Sequence, residues 1–272
     1  MNQPTDGPGR RSGPDGLRAV DRTIRILLAL AASPTGTSLT DLARGTDISA
    51  PTAHRLLGAL RRHRLTRETV DGRHALGPAT LVLARGFLGG LDFRVEALPV
   101  LSELRDATGE ACHLGTLAAP HIVYVDKLGS THPVQVMTRI GGTAPALTTA
   151  LGRALLANSP AEVVRQVVTA SEAQLGPLPA WDPEELDRTR ERGYSIDDGE
   201  SAPGIVALGA PIFDSEGAAI AAIDVAVPAV RFDRERREEL GGLVRASADR
   251  VSSALGHPAN GPDLPTDDRS DG

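Results

Sequence analysis

The segment SLTDLARGTDISAPTAHRLLGALRRHRL, residues 38–65, constrains this chain more than any other stretch. It carries two short helical patterns separated by a break at Gly45 and Asp47. In the first, Leu39, Leu42 and Ala43 fall at i, i+3 and i+4, and Ser38 is placed to cap the amino end with Asp41 three residues on. In the second, Ser49 stands at the cap, Pro51 sits in the first turn where no backbone donor is missed, and Leu56, Leu57 and Leu60 supply an inner stripe. Ser49, Ala50, Thr52, Ala53 and Arg55, with His54 beside them, are left near the outward amino-terminal end. Small and hydrogen-bonding groups at that place can approach base edges and phosphates, as the second helix of a helix-turn-helix does in a major groove. An ordinary helical hairpin with a solvated basic face has the same periodicity, so the continuation decides.

Residues 65–70 read as a strand, Asp71-Gly72 as a two-residue turn, and residues 73–76 as the returning strand, which makes a wing. Arg61, Arg67 and Arg73 give the wing and its approach a positive surface suited to phosphates. Upstream, Val20, Ile24, Leu27, Leu28 and Ala31 repeat at helical spacing and predict a first helix that closes a three-helix core. Charge divides in the same place. Residues 1–80 hold 12 arginines against 7 acidic side chains, whereas the rest of the chain holds 17 basic against 28 acidic groups, for a total of −6. A basic module on an acidic body keeps local attraction for a polyanion while limiting indiscriminate adhesion.

At 272 residues the chain has room for two domains. Aromatics make up 3% of it, too few for the stacking platforms that hold single-stranded nucleic acid. Cys112 is the single cysteine, which leaves no intramolecular disulfide and no cysteine-based zinc site. No stretch approaches the ~20 apolar residues of a membrane span, and a cytoplasmic location is expected. Residues 1–16 and 257–272, rich in Gly, Pro, Asp and Ser, are expected to be disordered tails.

The winged helix-turn-helix domain is bounded at 17–77. Residues 78–91 form a linker helix (Leu81, Val82, Ala84, Arg85 and Leu88) that stops at Gly89-Gly90, more apolar than a solvated connector needs and expected to pack on its copy in a partner subunit. From 92 to 256 an amphipathic helix is followed by strands at 111–117 and 121–128, helices at 148–157, 161–168 and 183–192, strands at 194–197, 205–213 and 218–227, and a last helix at 233–255. Such an order predicts an α+β domain built on an antiparallel sheet with a small-molecule cup.

The chain resembles the isocitrate-lyase-regulator (IclR) family of transcription factors over about residues 17–256. The helix-turn-helix, the wing ending DGRHALGP, IVYVDKLGS at 122–130, TALGRALLA at 149–157, RERGYSIDDGE at 190–200, GIVALGAPIFD at 204–214 and AAIDVAVP at 221–228 carry the resemblance. It implies a GAF-like effector domain behind the winged domain, assembly as a homodimer or tetramer, and control of palindromic operator DNA, with repression expected. On that basis Ser38, Ser49, Ala50, Thr52, His54, Arg55, Arg61, Arg67 and Arg73 are expected to contact DNA. Met137, Ala150, Leu151, Asp197, Ile205, Ala207, Asp224 and Ala226 are expected to line the effector cup.

The departures bear on the ligand. Where ligand-binding members often carry Cys, Ser and Ser, this chain has Ala207, Asp224 and Ala226; the block that commonly reads Pro-Leu-His is Pro145-Ala146-Leu147, and a usual Lys is Arg153. A carboxylate at 224 would repel small carboxylate effectors and favour a polar or cationic one, or a larger apolar one with a hydroxyl or amine. His113, His121 and His132 lack a short metal-ligand spacing, and Asp197, Asp198 and Asp224 have no accompanying nucleophile elbow or phosphate loop, so no cofactor, metal or catalytic role is expected. A metabolic enzyme carrying a winged-helix interaction module is the alternative.

Overall fold

The computed structural model describes residues 15–89, 91–134, 136–176 and 182–258, and the two expected tails fall almost wholly outside them. The chain forms two compact units, Met1–Gly90 and Leu91–Gly272.

The first unit runs α1 (Asp15–Ala31), α2 (Leu39–Thr46), α3 (Ala50–Arg62), β1 (Thr66–Glu68), β2 (His74–Leu76) and α4 (Ala79–Leu88). Ile26, Leu30, Leu42, Ile48, Ala53, Leu57 and Leu60 make its core. Several sequence expectations are corrected here, and Gly45, expected to break the first helix, lies inside α2, which ends at the left-handed Asp47. The buried stripe of α1 is Ile26 and Leu30 with Leu27 beside them, whereas Val20, Ile24 and Leu28 are each more than half exposed. Helix α1 is apolar over more than one face, and a period of 3.6 fits either stripe. In α3 the inner stripe is Ala53, Leu57 and Leu60, so Ala53 faces the core and Leu56 sits at its margin. Ser38 caps α2 as expected, its Oγ accepting from Asp41 N at 3.1 Å, but Ser49 makes no such bond and donates instead to Thr52 Oγ1 at 2.9 Å. The wing is shorter than expected. Thr69 N donates to Arg73 O and Gly72 N to Thr69 O, with Gly72 at φ 74°, which is a three-residue rather than a two-residue hairpin loop.

The second unit contains α5 (Asp92–Thr108), β3 (Ala111–Ala118), β4 (His121–Leu128), β5 (Thr143–Pro145), α6 (Ala150–Ala157), α7 (Ala161–Leu175), α8 (Glu184–Arg192), β6 (Ser195–Asp198), β7 (Ile205–Phe213), β8 (Ala219–Pro228) and α9 (Arg237–Ala254). Six strands form one antiparallel sheet in the order β5-β4-β3-β8-β7-β6. Helix α6 lies on the face that carries Gly115 and Gly209: a side chain at Gly209 would meet the Ala150 backbone at 2.9 Å, so the close approach of helix to strand requires glycine there. Asp126, paired with Leu114 and therefore on the other face, binds Arg94 of α5 at 2.7 Å, which puts α5 on that opposite side. Helix α9 packs against α5, and Leu240, Val244, Ala248 and Val251 are its buried apolar side chains. Among the described residues no helix is long and apolar enough to cross a membrane.

Candidate functional site

In the first unit, the surface opposite the core stripe of α3 presents Ser49, Ala50, His54 and Arg55 as exposed residues, with Thr52 half-buried between them. Pro51 in the first turn and the left-handed Asp47, φ 53°, shape the entry to this end of the helix. Thr52 and Arg55 border a notch with Arg18 and Arg22 of α1, so three guanidinium-bearing residues converge where the sequence indicated one. Arg61, Arg67 and Arg73 are all exposed. Arg61 is held by Glu68 at 2.9 Å and Arg73 by Asp71 at 3.1 Å, while Arg67 makes no ion pair among the described residues. Ser38 is half-buried, and its hydroxyl donates to Asp41 Oδ2 at 2.7 Å, so it is committed to holding the start of α2.

In the second unit, the sheet face beneath α6 forms the floor of a cavity of about 520 Å³. Strand register assembles that floor from residues far apart in sequence. His113 pairs with Asp224, and Asp224 with Gly209; one step along, Ala226 pairs with Ala207, and Ala207 with Asp197. Directly opposed residues share a face, as do residues two apart, so these side chains rise together. Ala207 and Ala226 are small, and the space above them is the cavity. Val136, Ala144, Ala150 and Ile205 supply apolar wall, Met137 borders the space while largely exposed to solvent, and Tyr124, Thr138, Arg139, Thr149 and Ser201 supply polar groups.

Of the residues expected to line an effector cup, Met137, Ala150, Asp197, Ile205, Ala207, Asp224 and Ala226 all border this cavity. Leu151 does not. It is fully buried, its Cδ1 close over Gly115, because one residue along α6 turns the side chain by about 100° away from Ala150. His113 was missed. Only 2% exposed, its Nδ1 lies 2.6 Å from Oδ1 of Asp224, itself 5% exposed. A buried carboxylate is costly without a partner, and this hydrogen bond offsets part of that cost. Tyr124 packs edge-on against His113 with ring centroids 5.3 Å apart, and burial first, then the charges of Asp224 and Asp197, push its phenol above the ordinary range.

Asp197 serves its own turn. Its carboxylate accepts from Glu200 N at 2.8 Å, Ser201 N at 3.2 Å and the Ser201 hydroxyl, and so shapes the loop that brings Ser201 and Ala202 to the cavity. Burial raises its pKa, with these donors and Arg153 opposing the rise. Arg153 is buried and donates to Leu147 O at 2.9 Å, Ile196 O at 2.8 Å and Glu200, bracing α6 against β6 and the same loop. Thr149 caps α6 through Gly152 N at 3.2 Å and donates to Pro145 O at 3.1 Å. Among the described residues no group of three or more His, Cys, Asp or Glu side chains could hold a metal ion.

Known proteins share both units. The helix-turn-helix domain of the IclR family matches residues 19–69, and the family described as bacterial transcriptional regulator IclR, C-terminal, matches residues 86–253. The HTH-type transcriptional regulator KdgR of Escherichia coli is 28% identical over 258 residues, covering 90% of this chain and 95% of that protein. The transcriptional repressor IclR of the same organism is 29% identical over 249 residues, with 88% and 90% covered. The crystal structure of Thermotoga maritima IclR superposes with a TM-score of 0.71 at 25% identity, covering 89% of this chain and all of that one. These similar proteins are transcriptional regulators, and nothing among them favours an enzyme. With a helix-turn-helix domain ahead of an effector-binding domain, this protein is a DNA-binding transcriptional regulator, and it belongs to the IclR family.

Proposed function

We propose that this regulator binds palindromic operator DNA as a homodimer or a pair of dimers, and that a small molecule in the second unit's cavity sets its operator affinity. One observation carries the reading: a chain with a basic, exposed recognition-helix face also encloses a cavity floored by small side chains and a buried His-Asp pair. Ser49, Ala50, Thr52, His54 and Arg55 reach base edges, while Arg67, Arg73 and Arg61 meet phosphates, joined by Arg18 and Arg22 at the notch beside α3. Ser38 contributes through the placement of α2. Assembly is supported by unpartnered apolar surface. Leu17, Val20, Ile24 and Leu28 form a stripe along α1, and Leu81, Val82, Leu83 and Phe87 lie on α4, each more than half exposed. A second copy covering those stripes would remove them from water and set two recognition helices on inverted half-sites. Repression is the expected sign, in keeping with the similar repressor IclR of E. coli.

The effector is not a small carboxylate by preference, since Asp224 stands in the floor. Retardation of a fragment of the protein's own promoter tests the DNA half: the parent binds it, and Thr52→Ala with Arg55→Ala abolishes discrimination against unrelated DNA. Unchanged operator affinity in that double variant would overturn the assignment of the helix. Filling the floor with Ala226→Phe tests the other half, and is expected to remove the response to cell metabolites while leaving basal operator binding in place.

A further inference from the structure

We infer that the ligand of this cavity is an organic cation: an apolar molecule bearing a protonated amine, its ammonium held by the unused oxygen of Asp224 and the hydroxyl of Tyr124. The inference rests on reading the cavity as the effector site and adds the charge and polarity of what enters it.

Asp224 has one oxygen to spare. His113 occupies Oδ1, and among the described residues nothing donates to Oδ2. A carboxylate only 5% exposed, with an unsatisfied oxygen at a cavity, calls for a donor or a cation. Two of the hydroxyl protons in the lining are already placed elsewhere: Thr149 donates to Pro145 O, and Ser201 donates to Asp197. Thr138 Oγ1 is buried in the lining without a partner and can accept from an N–H.

The balance of charge points the same way. The lining contains two buried carboxylates, Asp197 and Asp224, against His113 and a single guanidinium, Arg139, which is exposed and screened by solvent. Two other cations stand nearby but do not line the space, since Lys127 Nζ is turned to Thr138 O at 2.6 Å and Arg153 to Glu200 and two carbonyls. The negative fields of Asp224 and Asp197 overlap at Tyr124, whose ring also offers a face for an ammonium. An anion would have to rely on the solvent-screened Arg139 or on amides at the amino end of α6. Ala150, however, rests on Gly209, the strand neighbour of Asp224, so an anion received there would be set against the acid. A volume of about 520 Å³ with walls such as Val136 and Ile205 leaves room for an apolar body behind the amine, within the ~300–1,000 Å³ usual for small-molecule sites.

Three probes of one shape and different charge test this by calorimetry on the full-length protein: phenethylamine, 2-phenylethanol and phenylacetate. Phenethylamine is expected to bind at least ~10-fold more tightly than the alcohol, and phenylacetate more weakly than either, because a charge-assisted hydrogen bond adds to the same apolar contacts. Asp224→Asn keeps an acceptor for His113 and should reduce the amine's affinity by ~10-fold or more. An unchanged melting temperature in that variant shows that the fold is intact, and alcohol binding should fall by less than the amine's, because the alcohol brings a hydroxyl but no charge to the same oxygen. Phenylacetate binding as tightly as the amine, no amine binding at millimolar concentration, or an amine-to-alcohol ratio unmoved by Asp224→Asn overturns the inference. The effector-site reading fails separately, if phenethylamine binds as stated and operator affinity does not move.

Discussion

The two units handle polarity in opposite ways. The first leaves large apolar side chains in water, on α1 and α4, and keeps arginines such as Arg55, Arg61, Arg67 and Arg73 outside with them. The second draws charge inward, burying His113, Asp197 and Asp224 around a cavity and Arg153 behind its wall. Exposed apolar stripes are stable once another surface covers them, and buried charges are stable once each has a partner or a ligand. On the proposed reading, one unit associates with DNA and with another copy, and the other encloses something small.

The largest test of this contrast is the α1 stripe. Ile24→Glu with Leu28→Glu alters two exposed positions and should leave the fold intact, but sedimentation should then report the 28.4 kDa chain instead of a multiple of it. Operator affinity should drop by ~100-fold or more as the two half-sites lose their linked readers. An unchanged mass would break the comparison. The next effect is on stability and sets one glycine in each unit against the other. Gly209→Ala forces a methyl against the Ala150 backbone and should lower the stability of the second unit by about 1–3 kcal/mol in denaturant unfolding. Gly45→Ala, in α2 with nothing within 4 Å of the new methyl, should raise that of the first by up to ~1 kcal/mol. On the DNA side, Arg67→Ala should reduce the slope of log affinity against log salt by about one, for all sequences alike. Arg61→Ala and Arg73→Ala should change it less, because Glu68 and Asp71 already engage those side chains.

The smallest effect concerns Asp197. Burial raises its folded pKa above the ordinary 3.8, so the folded state holds that proton more tightly than the unfolded chain does. Its contribution to stability is therefore full below that value and is lost as pH rises through the folded pKa. The stability of Asp197→Asn relative to the parent should accordingly improve as pH rises through that window, in paired denaturant titrations. A difference that is flat with pH would remove the desolvation argument.

What the sequence made legible was local. The turn at Asp47, the cap at Ser38 and the stripe of Leu57 and Leu60 each involve residues within a few positions of one another, and the helix-turn-helix follows from them, although Gly45, expected to break the first helix, lies inside α2. The face of α1 was not legible, because Ile26 and Leu30 fit a helical period as well as Val20, Ile24 and Leu28 do, and only packing against α2 and α3 chooses between them. Strands β3, β4, β7 and β8 announce themselves as apolar runs, but β5 is three residues ending in Pro145 and gives no such signal. The candidate cavity shows the same limit. Ala207, Asp224 and Ala226 were reached through family resemblance, whereas His113 meets Asp224 across 111 residues through the register of β3 on β8, which no local pattern encodes. Leu151 went wrong by one residue on a helix, where one residue is enough to exchange cavity for core.

The claim that exposed apolar stripes make this a two-fold reader of DNA is tested most directly by incubating the full-length protein with sheared genomic DNA, recovering the bound fragments and sequencing them. The account predicts enrichment of inverted half-sites whose centres lie one or more helical turns apart, ~10.5 base pairs each, near few genes. Single half-sites, direct repeats or no enrichment over input would contradict it.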